Sequence, residues 1–293
     1  MFNRIMVALD LSPMDVTLIK YAGRFAQAVG AQKIYFLHVA PDLLGESSAT
    51  DEDRKLYAQD EHIKTVVEEK VKKYFPAELL GKTDIQVVEG NPLPTLIRWK
   101  RIKKIDLLMV GKKSLSKGSG VVSRQFVRQS DCPVLFVPLN TTFPVKKILV
   151  PVDFSDNSGY ALHSAIQLAG SFGNPEILYF HLYHFVSSPE TPGFNPHFNQ
   201  YMSNLTKDKH IKFIKKFDLG EANVKVKILP HPEADIVEPI IRYADENDMD
   251  MIIIGAIGHS KLRLLAVGST AEKLMLKNVT KPLLVLKQKT KNK

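Results

Sequence analysis

The chain is written twice. The run Ile5-Met6-Val7-Ala8-Leu9-Asp10-Leu11-Ser12 is answered by Ile148-Leu149-Val150-Pro151-Val152-Asp153-Phe154-Ser155. The same offset of 143 carries Ala22 to Ala165, Gly30 to Gly173 and His38 to His181 without a gap. An offset of 144 then pairs Trp99 with Tyr243, Asp106 with Asp250 and Gly111 with Gly255, and Cys132-Pro133-Val134 answers to Lys281-Pro282-Leu283. A period near 145 residues is far too long for a solenoid and is the size of one domain. Two homologous domains are therefore expected, over 1–140 and 145–290, with a seam in Leu139-Asn140-Thr141-Thr142-Phe143-Pro144.

Each half alternates short aliphatic runs with amphipathic ones. In the second, strands are predicted near Lys146–Val152, Glu176–Tyr183, Val224–Leu229, Asp250–Ile254 and Leu283–Leu286. They lack strict polar alternation, as expected when both faces of a sheet are covered. Helices are predicted near Ser158–Phe172, Asn199–Leu219, Ala234–Asn247 and Ser269–Asn278. This alternation implies an α/β class: two tandem doubly wound domains, each a five-stranded parallel sheet of order 3-2-1-4-5 flanked by helices. Such a sheet binds ligands beyond its strand ends where the order reverses, between strands 1 and 4. Asp153 ends strand 1 and Gly255 ends strand 4, so a hundred intervening residues do not keep them apart.

The second-half crevice also has a glycine-rich loop. Gly255-Ala256-Ile257-Gly258 follows the apolar run Met251-Ile252-Ile253-Ile254, and after nine residues comes Gly268-Ser269-Thr270 at a helix start. Glycines admit close backbone approach, and a helix N-terminus favours negative charge, so this arrangement suits a phosphate. No G-x-G-x-x-G follows strand 1, which disfavours a dinucleotide fold. Asp153, Ser155 and Asp156 are also candidate N-caps for the helix that follows, and capping stands beside ligand contact as a reading of Asp153.

Composition excludes several classes. With 44% hydrophobic and 24% charged residues the chain reads as globular, and it has no apolar run of the ~18 residues needed to span a bilayer. The sequence opens on a strand-like pattern and carries the single cysteine Cys132, which fits a reducing cytoplasm and a packing role for the thiol. The net charge of +9 raises nucleic-acid binding, but Lys70, Lys72, Lys73, Lys100, Arg101, Lys103 and Lys104 fall at helix faces and ends, and Lys287 to Lys293 form a tail. Solvated helix faces account for them, so nucleic acid and membrane are both disfavoured as partners. His38 and His181 read as core histidines, and His181, His184, His197, His231 and His259 have no zinc-ligand spacing, so no metal site is expected. No nucleophile elbow, carboxylate pair or Walker lysine is present, so no catalytic residue is assigned.

The strand-1 phrase ending Val-Asp-Phe-Ser, the strand-2 histidine, the strand-4 phrase Asp-Met-Ile-Ile-Ile-Gly, the spacing G-x2-G-x9-G-S-T and the proline that opens the last strand together resemble the universal stress protein family. Over nearly its whole length the chain resembles a tandem member. The resemblance implies an adenine nucleotide, ATP or ADP or AMP, with or without magnesium. It places Pro151, Val152, Asp153 and Leu182 around the adenine base, and Ile254, Gly255, Gly258, Gly268, Ser269 and Thr270 around the phosphates. It also implies an intramolecular pseudo-dimer in which the final strands of the two domains meet, and an unidentified protein partner. The expected role is a cytoplasmic stress-response module that binds nucleotide in its second domain. A slow ATP hydrolase and a nucleotide-free interaction scaffold are the alternatives.

Each half departs from the motif in its own way. The first reads Gly111-Lys112-Lys113-Ser114-Leu115-Ser116-Lys117-Gly118-Ser119, with serine for the second glycine and a spacer of three residues. That loop is too short to wrap a triphosphate as the second does, and its lysines read as a solvated basic turn or a weak anion site. In the second half the G-x-P found as Gly90-Asn91-Pro92 becomes Pro230-His231-Pro232, and the helix after it is expected to be about one turn longer.

Overall fold

The computed structural model describes residues 1–40, 51–113, 120–141, 143–185, 196–217, 219–220, 222–232, 235–258, 267–278 and 280–287, with the side chains of 51–61 left aside. It divides into two compact units, Met1–Pro144 and Val145–Lys293.

In unit 1 the strands are β1 (Arg4–Leu9), β2 (Lys33–Ala40), β3 (Thr83–Glu89), β4 (Leu107–Lys112) and β5 (Val134–Pro138). They pair in the order β3-β2-β1-β4-β5, each contact parallel. Helices α1 (Met14–Val29), α2 (Asp51–Tyr74), α3 (Pro92–Lys103) and α4 (Val121–Gln129) connect them, with a 3-10 turn at Ala77–Lys82 before β3. Unit 2 repeats the plan with β6 (Lys147–Pro151), β7 (Glu176–His184), β8 (Val224–His231), β9 (Met251–Gly255) and β10 (Leu283–Leu286). Their order is β8-β7-β6-β9-β10, again parallel. Its helices are α5 (Asp156–Ser171), α6 (Pro196–Lys216), α7 (Val237–Glu246) and α8 (Ser269–Lys277).

The repeat survives as a repeated core. In α1 the side chains of Leu18, Ile19, Ala22, Phe25 and Ala26 are buried, and at the same offset Ala161, Leu162, Ala165, Leu168 and Ala169 are buried in α5. This is the i, i+1, i+4, i+7, i+8 stripe of a helix lying on a sheet. The repeated aspartates also have a structural task. Asp106 accepts the amides of Asn3 and Arg4 at 2.8 and 3.0 Å, and Asp250 those of Lys146 and Lys147 at 2.7 and 2.9 Å. Each ties the start of strand 4 to the start of strand 1, at the end of the sheet away from the crevice. β8 leaves Lys225, Val226 and Lys227 exposed, and lysines on such an edge oppose pairing with another chain.

Two expectations need correction. α7 has ten residues against twelve in α3, so the helix of unit 2 is shorter, not longer. The connection before it lengthens instead: two residues separate β3 from α3, and five separate β8 from α7. The lysines are also less solvated than expected: Lys112 and Lys287 are buried, Lys70 lies 3.6 Å from the Asp15 carboxylate, Lys100 pairs with Asp131, and Lys103 covers the Tyr35 and Trp99 rings. The rest of that tail, residues 288–293, lies outside the described residues.

Candidate functional site

In unit 2 a cavity of about 290 Å³ opens at the carboxyl ends of β6 and β9. All ten residues singled out from the sequence line it. Pro151, Val152 and Asp153 come from the end of β6, Leu182 from β7, Ile254, Gly255 and Gly258 from β9 and its exit, and Gly268, Ser269 and Thr270 from the start of α8.

The floor of the cavity is held by hydrogen bonds that leave little freedom. Val152 donates its amide to the Phe180 carbonyl at 2.8 Å, and its own carbonyl lies 2.7 Å from His181 Nδ1. A carbonyl can only accept, so Nδ1 carries the proton. Burial holds His181 below its ordinary pKa of 6.5. Leu9 and His38 make the same contact in unit 1 at 3.0 Å, so the repeated histidine fixes the strand-1 exit in both halves. The residue after each aspartate is left-handed, Leu11 at φ 62° and Phe154 at φ 65°. That conformation costs about 1–2 kcal/mol in a non-glycine residue. Phe154 is anchored by ring contacts to His181 at 4.2 Å and Phe213 at 5.8 Å.

Asp153 is not the helix cap. Ser155 is, accepting from the Ser158 amide at 3.2 Å. Asp153 Oδ1 in turn accepts from the Ser155 amide at 3.0 Å and from its hydroxyl at 2.5 Å. The aspartate thus orients the cap while its other oxygen, Oδ2, faces Gly258. A Cβ on Gly258 would lie 2.5 Å from that oxygen.

The three glycines of the loop have three different reasons to be glycine. At Gly255 a Cβ would lie 2.8 Å from the Asn157 carbonyl, so its absence lets α5 pack against β9. At Gly258 it lets the loop backbone rest on Asp153. Gly268, with φ −66°, is under no such pressure, since a Cβ there would meet Gly258 N at 3.4 Å and Ala256 O at 3.5 Å. Gly268 contributes its amide, which bonds the Ala256 carbonyl at 2.7 Å and closes the neck of the loop. The residues between, 259–266, lie outside the described ones.

Beyond the neck α8 begins without a side-chain cap on its N-cap residue. The amides of Ser269, Thr270 and Ala271 belong to the first turn, which offers them no intrahelical acceptor, and all three residues line the cavity. First-turn amides and the positive end of a helix dipole favour an anion. Leu182, Ile236 and Ile240 add apolar side chains to the lining. The sequence reading missed Ser158, Phe180, Ile236, Ile240, Ile257 and Ala271, and placed His181 in the core without seeing that it also borders the cavity. Ile236 and Ile240 stand one helical turn apart, a spacing that could have been read had the following helix been started at the right residue.

Model matching over residues 1–138 and again over 144–287 finds the universal stress protein family. The chain belongs to the universal stress protein family. Similar relatives include universal stress protein MJ0531 of Methanocaldococcus jannaschii, 29% identical over 150 residues covering 50% of this chain and 84% of that protein. Universal stress protein MJ0577 of the same organism is 29% identical over 167 residues, covering 49% of this chain and 96% of that protein. Among solved structures, a universal stress protein from Archaeoglobus fulgidus has a TM-score of 0.66 at 20% identity and covers 98% of this chain and 99% of its own. A protein of unknown function from Pseudomonas aeruginosa, PA1789, has a TM-score of 0.64 at 16% identity, covering 98% and 92%. At these identities the two structures show a shared fold.

The matching crevice of this universal stress protein's unit 1 is built otherwise. Asp10, counterpart of Asp153, is ion-paired with Lys113 at 2.5 Å. Burial raises its carboxyl pKa, but hydrogen bonds from Lys113 and Ser12 outweigh this and hold it below the ordinary value. Where unit 2 has Ser158, unit 1 has Asp15, 1% exposed. Its Oδ1 accepts the Asp10 amide at 3.2 Å while Oδ2 lies buried without a hydrogen bond, 3.6 Å from Lys70 Nζ. Burial pushes the Asp15 carboxyl up. Met14 packs so close to Gly111 that its Cγ lies 2.6 Å from where a Cβ would stand. The shortened loop itself, residues 114–119 with Gly118, lies outside the described residues. Cys132 is buried, and burial pushes its thiol up to about 12, a packing sulfur with little thiolate character. Among the described residues there is no metal-ligand cluster and no helix long and apolar enough to cross a membrane.

Proposed function

We propose that the unit 2 crevice binds an adenine nucleotide, ATP or its di- or monophosphate, and that the protein acts as a nucleotide-responsive stress module in the cytoplasm instead of an enzyme. The observation that carries this reading is one cavity lined both by the apolar side chains of Leu182, Ile236 and Ile240 and by Ser269, Thr270 and Ala271 of the first turn of α8, whose N-cap residue has no side-chain cap. A nucleotide has that same division, a flat apolar base and a polyanionic tail. Charge-assisted bonds from amides to phosphate oxygens are among the stronger hydrogen bonds available. Asp153 lines the same cavity, and a carboxylate there suits a donor of the nucleoside part. Magnesium belongs to the reading only as a counter-ion carried by the phosphates.

Mass spectrometry of small molecules released from the purified protein tests it. Recovery of an adenine nucleotide at near one per chain supports the reading. Protein that is free of nucleotide and takes up neither ATP, ADP nor AMP in calorimetry contradicts it and favours an interaction scaffold. Steady ATP turnover that disappears on Gly258→Val would move the protein to the hydrolase class.

A further inference from the structure

The lengthened connection before α7 carries one carboxylate with two tasks. Asp235 Oδ1 accepts the Val237 amide at 3.1 Å, ordering the first turn of α7. Its Oδ2 lies 3.3 Å from Lys273 Nζ and 3.9 Å from Lys277 Nζ, both on α8, and Lys277 also bonds Glu238 at 2.8 Å. The next residue is Ile236 and one turn on is Ile240, the two side chains that α7 and its approach give to the cavity wall. Asp235 therefore ties these apolar side chains to the helix whose first turn also lines the cavity. Its counterpart turn in unit 1, Gly90-Asn91, has no carboxylate. The ion pairs are exposed, and such pairs add little to stability, so their effect falls on geometry.

We propose that Asp235 is a positioning residue of the crevice: by clasping α7 to α8 it sets the Ile236 and Ile240 wall against the base of the bound nucleotide. The inference rests on the nucleotide reading and goes further, because it assigns selectivity for the nucleoside part to a residue that touches no ligand. Asp235→Ala loses the clasp and the first-turn bond together. Asp235→Asn keeps an oxygen for the Val237 amide but loses the charge.

The test is calorimetric titration of the full chain and both variants with ATP, adenosine and inorganic tripolyphosphate. Asp235→Ala is expected to weaken adenosine and ATP by roughly three- to tenfold, with tripolyphosphate unchanged and Asp235→Asn intermediate. Asp235→Lys is expected to weaken adenosine further by crowding three cations, and added Lys273→Asp to recover part of that loss. Unchanged adenosine affinity in Asp235→Ala, an equal loss for tripolyphosphate, or no recovery on charge exchange overturns the clasp while leaving the nucleotide reading intact. Wild-type protein that binds neither ATP nor adenosine overturns the nucleotide reading and the clasp with it.

Discussion

The two crevices share a strand order, a histidine that pins the strand-1 exit and a left-handed residue after the aspartate, yet their polar groups are arranged differently. In unit 2 Asp153 faces the Gly258 backbone, and uncapped amides of α8 border a cavity of about 290 Å³. In unit 1 the matching aspartate is ion-paired with Lys113, and a buried carboxylate replaces the crevice serine. A repeated scaffold thus keeps its packing while its site chemistry diverges. The packing depends on the periodic apolar stripe, and the site on a few residues at strand ends that the core does not constrain.

The largest expected separation between the halves comes from Gly258→Val. Its Cβ would press on Asp153 Oδ2 and lift the loop from the crevice, so nucleotide affinity is expected to fall at least roughly hundredfold, about 2.7 kcal/mol. The melting temperature should barely move, since Gly258 is not part of the buried core. Calorimetry with ATP reads the loss, and an affinity within threefold of wild type removes Gly258 from the site. Next comes Gly255→Ala, which sets a methyl against the Asn157 backbone. It is expected to cost about 1–3 kcal/mol of stability through overpacking between α5 and β9, read by denaturant unfolding. An unchanged midpoint would show that α5 moves freely.

The pH response should differ in sign between Asp15 and His181. Asp15 holds its proton more tightly folded than unfolded, so its contribution to stability rises as pH falls through its raised pKa toward the ordinary 3.8. His181 is held below 6.5, so the unfolded chain takes up its proton first and stability is lost as pH falls below 6.5. Melting temperatures compared with Asp15→Asn and His181→Gln should therefore diverge in opposite directions between pH 7 and pH 4. Parallel curves for either variant contradict that assignment. The smallest effect is expected at Gly268→Ala, whose Cβ meets only ordinary contacts and whose φ suits any residue; affinity should stay within about threefold, and a larger loss in calorimetry would mean that the neck is tighter than its 3.4 Å clearance.

Much of this was legible in the sequence for a physical reason. Helix and strand periodicity depends on burial, so the repeat of Leu18, Ala22 and Phe25 as Ala161, Ala165 and Leu168 reported one packing scheme twice. Strand order then placed Asp153 and Gly255 together without knowledge of any side-chain contact. What stayed hidden depends on where a chain leaves regular structure. Five residues separate β8 from α7, and the sequence did not show that Ile236 and Ile240 line the crevice or that Asp235 joins α7 to α8. Charge counts could not show that Lys112 is buried or that Lys113 answers Asp10, because a lysine stem packs where its head finds a partner. Membership of one motif also made the glycines look alike, although Gly255 answers to a helix, Gly258 to a carboxylate and Gly268 to neither.

The central claim is that one crevice of the two is a nucleotide site, and its most direct test is the stoichiometry of ATP binding to the full chain, with and without Gly258→Val, by calorimetry. The account predicts one site per chain, lost in that variant. Two equivalent sites, or a single site that persists in a folded Gly258→Val protein, would contradict it.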